Sequence, residues 1–328
     1  MLAKHLDQKF NSDKKTSVPS RNGYGEGLLE AGKRDERVVA LAADLTESTR
    51  TDAFAKEFPN RFVQVGITEQ NMASVASGMA AMGKVPFIAS YAMFSPGRNW
   101  EQIRTTIAYN ESNVKIIGAH AGVSVGPDGA THQAIEDVAL MRVIPNMVVI
   151  APADVHEARK ATLAATKYDG PVYIRVGRSA TPVVTTPESP FEIGKAEIFY
   201  KTEIETDKKV GIISTGTLLA NSLMAAIELE REGVGVRVLH VATIKPLDTK
   251  AIIDLAEISD LLVTVEEHQK NGGLGGAVCE CVSEVKPTKI VRVGVDDKFG
   301  QSGEPEELIS FYGMDKDSIV KAVKGGLS

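Results

Sequence analysis

The sequence predicts an α/β protein built from two doubly wound domains, each with a largely parallel sheet covered by helices on both faces. Two observations support this prediction. Short β-rich apolar runs alternate with helix-forming segments in two separate series. Between the two series, near residue 180, lies a stretch rich in Thr, Pro and charged residues, which is typical of a linker. We therefore expect a first domain over residues 1–185 and a second, smaller domain over residues 186–328.

Each series alternates strand-like and helix-like segments in chain order. The strand runs of the first series read RVVALAA, RFVQVGI, VKIIGA, NMVVIAPA and PVYIRVG. Helical period or composition marks segments between them, such as TEQNMASVASGMAAMG, NWEQIRTTIAYN and DVHEARKATLAATKY. The second series runs KVGIISTG, TLLANSLMAAIELEREG, VGVRVLHVATIKPLD, KAIIDLAEI, DLLVTVEEH, NGGLGGAVCECVSEV and KIVRVGV. Alternation of this kind predicts parallel strands joined by crossover helices.

The composition indicates a globular protein without a broad basic surface. The net charge is −6 and the pI is about 5.7, which argues against electrostatic binding to nucleic acid or to an acidic membrane surface. An anionic ligand would need a local cluster of Arg, His and backbone N–H groups. No apolar run approaches the roughly 18 residues of a transmembrane helix, and the N-terminus lacks the apolar core of a signal peptide. Because Cys279 and Cys281 are best interpreted as reduced thiols, we expect a cytoplasmic protein.

A glycine-rich loop, GAHAGVSVGPDGATHQ at residues 118–133, follows one of the predicted strands. It holds two of the six histidines, His120 and His132, together with Asp128. Its glycines allow tight turns or close approach to a ligand. Three interpretations stay open: a substrate or cofactor pocket, a purely loop-stabilising role, and a zinc site made of two histidines and a carboxylate. The twelve-residue spacing of the histidines makes zinc the least favoured.

Glu69 begins the helix that the pattern predicts after the run RFVQVGI, with Thr68 as a candidate N-cap. Met72, Ala73 and Ala76 lie three, four and seven residues further on, so Glu69 shares a face with small apolar side chains. One interpretation is a first-turn carboxylate favoured by the helix dipole. The other is a buried carboxyl with a raised pKa that donates or shares a proton.

Two further pairs of residues are candidates for ligand contacts. Tyr91 and Phe94 follow a strand-like run and precede a Pro-Gly break, so they form either core packing or an aromatic wall for a flat heterocycle. Arg175 and Arg178 lie at and just after the end of a strand, where open parallel sheets bind ligands. Their guanidinium groups suit a phosphate, and a surface salt bridge is the alternative.

These stretches, in this order, resemble the transketolase family. The resemblance rests on GITEQNM, YAMFSPGRNWEQIR, GAHAGVSVGPDGATHQAIEDVALMRVIPNMVVIAPAD and YIRVGRS. Further on, GIISTG, ATIKPLD and EEH…GGLGGAV are similar to the C-terminal domain of that family. The resemblance covers nearly the whole chain from about Arg21. It implies a pyrimidine-binding domain for thiamine diphosphate, followed by a transketolase-type C-terminal domain. The activity that it implies is transfer of a two-carbon ketol unit from a ketose phosphate to an aldose, as in the pentose phosphate pathway.

The resemblance also implies roles for individual residues near the cofactor. Glu69 matches the carboxyl that hydrogen-bonds the aminopyrimidine ring of thiamine diphosphate. Tyr91 and Phe94 match the aromatic segment that packs on that ring, without indicating which of them stacks. Asp44, in AADLTES, resembles the family's cofactor-side aspartate.

On the substrate side, the resemblance implies that four residues bind the sugar phosphate. They are Arg21, Ser48, His120 and Arg178. Asp128 matches a residue that recognises a substrate hydroxyl, and His132 one near the reacting carbon. The expected catalytic residues are Glu69, His120 and His132, and the resemblance implies no metal ligand in this chain.

One motif of full-length transketolases is absent. The family's diphosphate and Mg²⁺ motif is Gly-Asp-Gly followed by Asn, and this chain has only PDG at 127–129. We therefore expect the C-terminal subunit of a split transketolase, with Mg²⁺ on an N-terminal partner subunit and an α2β2 assembly. Three alternatives stay open: a 2-oxo-acid dehydrogenase beta subunit, a deoxyxylulose-phosphate-synthase-like subunit and a non-catalytic regulatory subunit. Retention of GPDGATHQ, His120, Arg178 and Glu69 favours the transketolase.

Overall fold

A computed structural model describes all residues from 1 to 328. The strands, in chain order, are β1 (Ser17–Pro19), β2 (Val38–Ala42), β3 (Phe62–Gln64), β4 (Val85–Tyr91), β5 (Lys115–Ala119), β6 (Val148–Ile150), β7 (Val172–Val176), β8 (Ala180–Pro182), β9 (Glu197–Lys201), β10 (Lys209–Ser214), β11 (Gly235–His240), β12 (Thr243–Lys245), β13 (Leu261–Gln269) and β14 (Ile290–Val295).

The helices alternate with these strands along most of the chain. They are α1 (Ser20–Arg34), α2 (Asp52–Glu57), α3 (Glu69–Ala81), α4 (Trp100–Gln102, continued by a π-helical segment over Ile103–Ala108), α5 (Asp137–Arg142), α6 (Val155–Lys167), α7 (Leu219–Arg231), α8 (Thr249–Glu257), α9 (Leu274–Val285), α10 (Pro305–Phe311) and α11 (Lys316–Leu327). None of them is long and apolar enough to cross a membrane, and the cytoplasmic location stays a prediction.

The first sheet has seven strands in the order β12-β6-β7-β5-β4-β2-β3, and all except β12 are parallel. All five strand runs of the first predicted series lie in it, and β4 adds a further strand. Its central strands are fully buried because helices cover both faces. Side chains of α1 and α6 pack on one face, and those of α3, α5 and the π-helical segment pack on the other. The predicted α/β fold class is confirmed.

The second sheet has five strands in the order β14-β13-β10-β11-β9, with only β9 antiparallel. Helices α7 and α11 pack on one face, while α8 and α9 pack on the other. The strand β9 lies within the stretch that the composition indicated to be a linker, and it forms one edge of this sheet.

The two sheets are linked by the segment that follows β11. The run VGVRVLHVATIKPLD suggested one continuous strand, but the chain leaves the second sheet after His240 and forms β12 on the edge of the first. There Thr243 pairs with Ile150 and Lys245 with Val149. The division at 185/186 therefore assigns β12 to the second domain, whereas its hydrogen bonds place it in the first sheet.

Candidate active site

The predicted site residues gather at the carboxyl edge of the first sheet. Asp44 follows β2, Tyr91 ends β4, His120 follows β5 and Arg178 follows β7. These four strands are neighbours in the order β7-β5-β4-β2. Because parallel strands end at the same edge, residues up to 134 positions apart in sequence are brought to one edge of the sheet. This is the edge at which open α/β sheets bind ligands.

Glu69 is the first residue of α3, and only 1% of it is exposed. Its Oε2 atom accepts a hydrogen bond from Arg98 Nη1 at 2.7 Å, whereas Oε1 is buried without any partner. Asn99 Nδ2 donates to the Glu69 carbonyl at 3.0 Å, which further fixes the start of the helix. Thr68 occupies the N-cap position as expected, but its side chain does not cap the helix, because its hydroxyl donates to the Val65 carbonyl.

Four aromatic rings form a continuous group, which Arg98 connects to this carboxylate. The Tyr91 ring stacks on the His120 ring with a centroid distance of 3.9 Å and an angle of 26°. Phe94 lies 6.0 Å from Tyr91, and its ring meets the edge of His132 at 5.5 Å. The Arg98 guanidinium lies over the Phe94 ring, 4.8 Å from its centroid. The aromatic group therefore connects the Glu69–Arg98 pair to His120.

His120 is 2% exposed and contacts a guanidinium directly, because Arg21 Nη1 lies 2.9 Å from His120 Nε2. An arginine only donates, so Nε2 accepts and a neutral ring carries its proton on Nδ1. That Nδ1 atom is buried and has no hydrogen-bond partner. Burial lowers the pKa of His120 to about 3, and the positive charges of Arg21 and Arg178 contribute further. The imidazole is therefore neutral at physiological pH.

Three guanidinium groups surround this neutral histidine. Besides Arg21, they are those of Arg178 and Arg50, both of which act electrostatically on His120. Arg178 donates to the Val125 carbonyl and lies 3.8 Å from an Asp128 oxygen. We call Arg21, Arg50, His120 and Arg178 the cationic cluster. Such a cluster attracts anions, because the guanidiniums are only partly neutralised by one nearby carboxylate.

The sequence did not indicate Arg50 or Arg98. Arg50 has a left-handed backbone conformation with φ of 64°, and its Nε atom donates to Asn22 Oδ1 at 2.9 Å. Arg98 lies in the Pro-Gly segment SPGRNW, whose turn points it back to a carboxylate 29 residues earlier. A lone arginine in a loop carries no periodic signal, so its partner is evident only in three dimensions.

The side chains of Ser48 and Asp44 make no hydrogen bond or ion pair to the cationic cluster. Ser48 contacts Arg21 through its carbonyl oxygen, at 2.9 Å, rather than through its hydroxyl. Asp44 is exposed and has φ of 59°. Its backbone N–H donates to Gln64 Oε1, and its carboxylate makes no hydrogen bond or ion pair to the cluster.

Arg175 has an internal role. It is 9% exposed and pairs with Asp137, whose Oδ2 lies 2.9 Å from Arg175 Nε. Its Nη2 atom donates to the Glu267 carbonyl at 2.8 Å. Of the two interpretations for this arginine, a salt bridge is therefore the one observed, although it is buried rather than on the surface. No group of three or more His, Cys, Asp or Glu side chains in the chain is placed to hold a metal ion.

Comparison with known families identifies both domains. The pyrimidine-binding domain of transketolase matches residues 16–184, and the transketolase C-terminal domain matches residues 200–319. The fold is thus that of the pyrimidine-binding part of a thiamine-diphosphate enzyme, followed by a C-terminal domain. The chain belongs to the transketolase family.

Individual relatives have nearly the same length as this chain. A transketolase C-terminal section from Methanocaldococcus jannaschii is 46% identical over 306 residues, which are 92% of this chain and 94% of that protein. A 6-deoxy-6-sulfo-D-fructose transketolase subunit from Clostridium sp. (strain MSTE9) is 38% identical over 92% of each chain. Among solved structures, a split-gene transketolase described as an inactive beta4 tetramer has a TM-score of 0.86 and 44% identity, covering 94% of this chain and 98% of that one.

Proposed function

We propose that this chain is the C-terminal subunit of a split transketolase, which moves a two-carbon ketol unit from a ketose phosphate to an aldose through thiamine diphosphate. The observation that carries the proposal is one continuous row of contacting side chains at the carboxyl edge of the first sheet. A buried carboxylate with a free oxygen lies at one end, aromatic rings lie in the middle, and the cationic cluster lies at the other end. This order suits a cofactor ring, a reacting carbon and a sugar phosphate.

Glu69 fits the pyrimidine half of the cofactor. A buried carboxylate oxygen without a donor is costly, so the free Oε1 atom indicates that a donor from a ligand belongs there. A protonated ring nitrogen of the aminopyrimidine is such a donor. Arg98 holds the other carboxylate oxygen and thereby fixes the direction of Oε1. When bound, thiamine diphosphate supplies the carbon nucleophile that carries the ketol unit, and Glu69 holds a proton at the ring nitrogen.

We assign the stacking contact with the pyrimidine to Phe94 rather than Tyr91. The Tyr91 ring already stacks on His120 at 3.9 Å, so its role is to orient that histidine. Phe94 lies beside Arg98, the direct partner of Glu69. His132 makes T-shaped contacts with both Tyr91 and Phe94 in the middle of this row of side chains, which suits a position near the reacting carbon.

The cationic cluster fits the phosphate of the sugar. Guanidinium groups bind phosphate oxygens through strong, charge-assisted hydrogen bonds, and the buried His120 Nδ1–H adds a neutral donor. For Asp128, whose Oδ1 lies 3.8 Å from Arg178 Nη1, we propose that it accepts a hydrogen bond from a sugar hydroxyl. One relative is named for a sulfosugar, and a sulfonate carries a single negative charge. We propose a phosphate here because several guanidiniums favour the more highly charged anion.

The proposal also requires a partner subunit. We propose that an N-terminal transketolase subunit holds the diphosphate through Mg²⁺ and that the two subunits assemble as α2β2. Two observations support this: the missing Gly-Asp-Gly motif, and the description of the solved beta-only relative as inactive. Transketolase activity of this chain alone, with partner contamination excluded, would refute the split-enzyme proposal.

The test compares acceptors with and without a phosphate. The chain is mixed with its N-terminal partner, thiamine diphosphate and Mg²⁺, and kcat/KM is measured for wild type, His120→Ala and Arg178→Ala. Loss of one charge-assisted contact costs about 1.5–3 kcal/mol, so efficiency with a phosphorylated aldose should fall roughly tenfold to a hundredfold. Because glycolaldehyde has no phosphate, kcat/KM for this acceptor should change little.

Arg231→Ala, which removes an exposed arginine at the end of α7 in the second domain, is the matched control. This variant should have the wild-type kcat/KM with both acceptors. Equal losses with both acceptors in His120→Ala and Arg178→Ala would mean that these residues shape the loop or the cofactor site. The phosphate assignment would then have to be abandoned.

A further inference from the structure

A carboxylate of the second domain lies directly against the glycine-rich loop of the first. Glu267, near the end of β13, is 4% exposed. Its Oε1 atom accepts a hydrogen bond from the Ser124 N–H at 2.7 Å, and its Oε2 atom accepts one from Thr217 Oγ1 at 3.1 Å. Ser124 and Thr217 belong to different domains, so this one side chain ties the loop to the second domain.

Gly122 shows independently how closely the loop approaches this carboxylate. Its φ angle is +88°, and a Cβ atom there would lie 2.2 Å from Glu267 Oε1. Only glycine leaves room for the carboxylate at this distance. The backbone of Glu267 is itself held by Arg175, which donates to the Glu267 main-chain carbonyl at 2.8 Å and is buried against Asp137. Glu267 is thus a rigid contact point rather than a mobile surface side chain.

The loop segment that Glu267 holds is the one that orients Arg178. The Ser124 carbonyl accepts a hydrogen bond from Ser179 Oγ, and the next carbonyl, that of Val125, accepts one from Arg178 Nη1. Two consecutive residues, Ser124 and Val125, therefore carry the N–H held by Glu267 and the carbonyls that receive Ser179 and Arg178. All three groups lie in the short 3-10 helical segment Val123–Asp128, so a shift of the Ser124 N–H is transmitted to both carbonyls through this segment.

The far end of the loop is attached to the second domain separately. Gln133 Nε2 donates to the Gln301 carbonyl at 2.9 Å and to the Val123 carbonyl at 3.0 Å. It also contacts the Gly126 carbonyl at 3.2 Å, so loss of the Glu267 contact would free the Ser124–Val125 segment while the carbonyls on either side of it stay attached. The effect should concentrate on Arg178.

We propose that Glu267 is a positioning residue of the second domain, which holds the Ser124–Val125 segment so that Arg178 points into the cationic cluster. This inference rests on the proposed function, because it assigns the second domain a part in binding the sugar phosphate. Glu267 does not itself contact the substrate. It acts through Ser124 and Val125, and its loss weakens recognition of the anion rather than ketol transfer.

Three variants of the full chain, assembled with the partner subunit, test this proposal. Glu267→Ala removes the acceptor and should raise KM for a phosphorylated acceptor about tenfold, with kcat and the KM for glycolaldehyde changed less than about twofold. Glu267→Gln keeps a carbonyl oxygen for Ser124, and the Thr217 hydroxyl can turn to accept from its amide, so this variant should retain most of the wild-type KM. Thr217→Val removes only the second-domain partner of the carboxylate and is the matched control.

Hydrogen exchange of the chain without its partner supplies a readout that does not depend on activity. Peptides that cover residues 118–133 should exchange faster in Glu267→Ala than in wild type, Glu267→Gln or Thr217→Val. Titration with inorganic phosphate, followed by ³¹P NMR, should show weaker binding in Glu267→Ala alone. Should that variant not fold, Glu267→Asp replaces it, because the shorter side chain withdraws the acceptor from Ser124.

Two results would overturn the positioning proposal. One is an equal loss on both acceptors in Glu267→Ala, and the other is a Glu267→Gln variant as impaired as Glu267→Ala. Failure of the proposed function is a separate result. If wild type neither prefers phosphorylated acceptors nor binds phosphate, the phosphate assignment fails, and the hydrogen-exchange comparison still decides whether Glu267 holds the loop.

Discussion

His120 should stay unprotonated over the whole pH range in which the protein is folded and active. Its pKa is lowered to about 3, first by burial and then by the positive charges of Arg21 and Arg178. At pH 5 only about 1% of such a histidine is protonated, whereas an ordinary histidine with a pKa of about 6.5 is about 97% protonated. Phosphate binding should raise this pKa, because an anion beside the ring offsets the repulsion from the arginines.

The assay is an NMR titration of the chain labelled with ¹³C at the Cε1 position of its histidines. Six histidine signals are expected, and His120→Asn identifies the one that belongs to His120. That signal should not move between pH 8 and pH 5. The midpoint of its titration should move to higher pH when inorganic phosphate is added. A midpoint above about pH 5 without phosphate would refute the description of His120 as a buried, neutral ring.

The same pKa has a consequence for stability, with a definite sign. The folded pKa lies below the unfolded value of 6.5, so the unfolded chain binds more protons as the pH falls. The free energy of unfolding therefore decreases from about pH 6.5 down to about pH 3. Between pH 7 and pH 5 the contribution of His120 to this loss is about 2 kcal/mol.

Urea denaturation at pH 7 and pH 5 measures this term. His120→Asn should lose less stability between the two pH values than wild type, by about 2 kcal/mol. His156→Asn, on α6 and outside the cationic cluster, controls for the loss of a histidine in general. An equal loss in wild type and His120→Asn would contradict the prediction.

Two further predictions concern buried carboxylates. Glu69→Gln should lower kcat of the assembled enzyme more than tenfold, because an amide cannot share a proton with the aminopyrimidine. This loss corresponds to an activation barrier raised by more than about 1.4 kcal/mol. Steady-state kinetics measures it, circular dichroism checks the fold, and a rate above a tenth of wild type would contradict it. Asp137→Asn should lower the free energy of unfolding by about 3–5 kcal/mol, because it leaves the buried Arg175 without its charge partner. Urea denaturation measures this loss, and a value below about 1 kcal/mol would show that Arg175 finds another partner.

Much of the fold could be predicted from local patterns. Apolar runs such as VKIIGA and PVYIRVG became strands buried on both faces, because a run without polar alternation fits only a sheet covered by helices. The exception was the run VGVRVLHVATIKPLD. Its apolar residues continue through β11 and β12, yet the two strands belong to different sheets. An apolar pattern predicts that a strand is buried, but it does not indicate to which sheet the strand belongs.

The candidate site was only partly predictable. The structure brings Tyr91, Phe94, His120 and His132 together as aromatic neighbours, whereas the carboxylate of Asp44 stays outside the contacts of the cationic cluster. Their roles toward a cofactor and a substrate stay predictions. Thr68 lies at the N-cap position of α3 but makes no capping hydrogen bond, because its hydroxyl donates to the Val65 carbonyl. The residue type limits the interactions that a side chain can make, and the groups around it in the fold determine which of these interactions it makes.

The sequence by itself determined the family, the α/β alternation and the chemical types of the residues at the carboxyl edge. These depend on order and spacing along the chain, which local propensity and burial translate directly into strands and helices. Only the tertiary structure decided the charge partners: Arg98 for Glu69, Asp137 for Arg175, and the guanidiniums around His120. These partners lie 29 to 99 residues apart. A hydrogen bond needs a donor–acceptor distance of about 3 Å, and the energy of an ion pair rises as its charges approach, so both depend on distances that exist only after the sheets have packed.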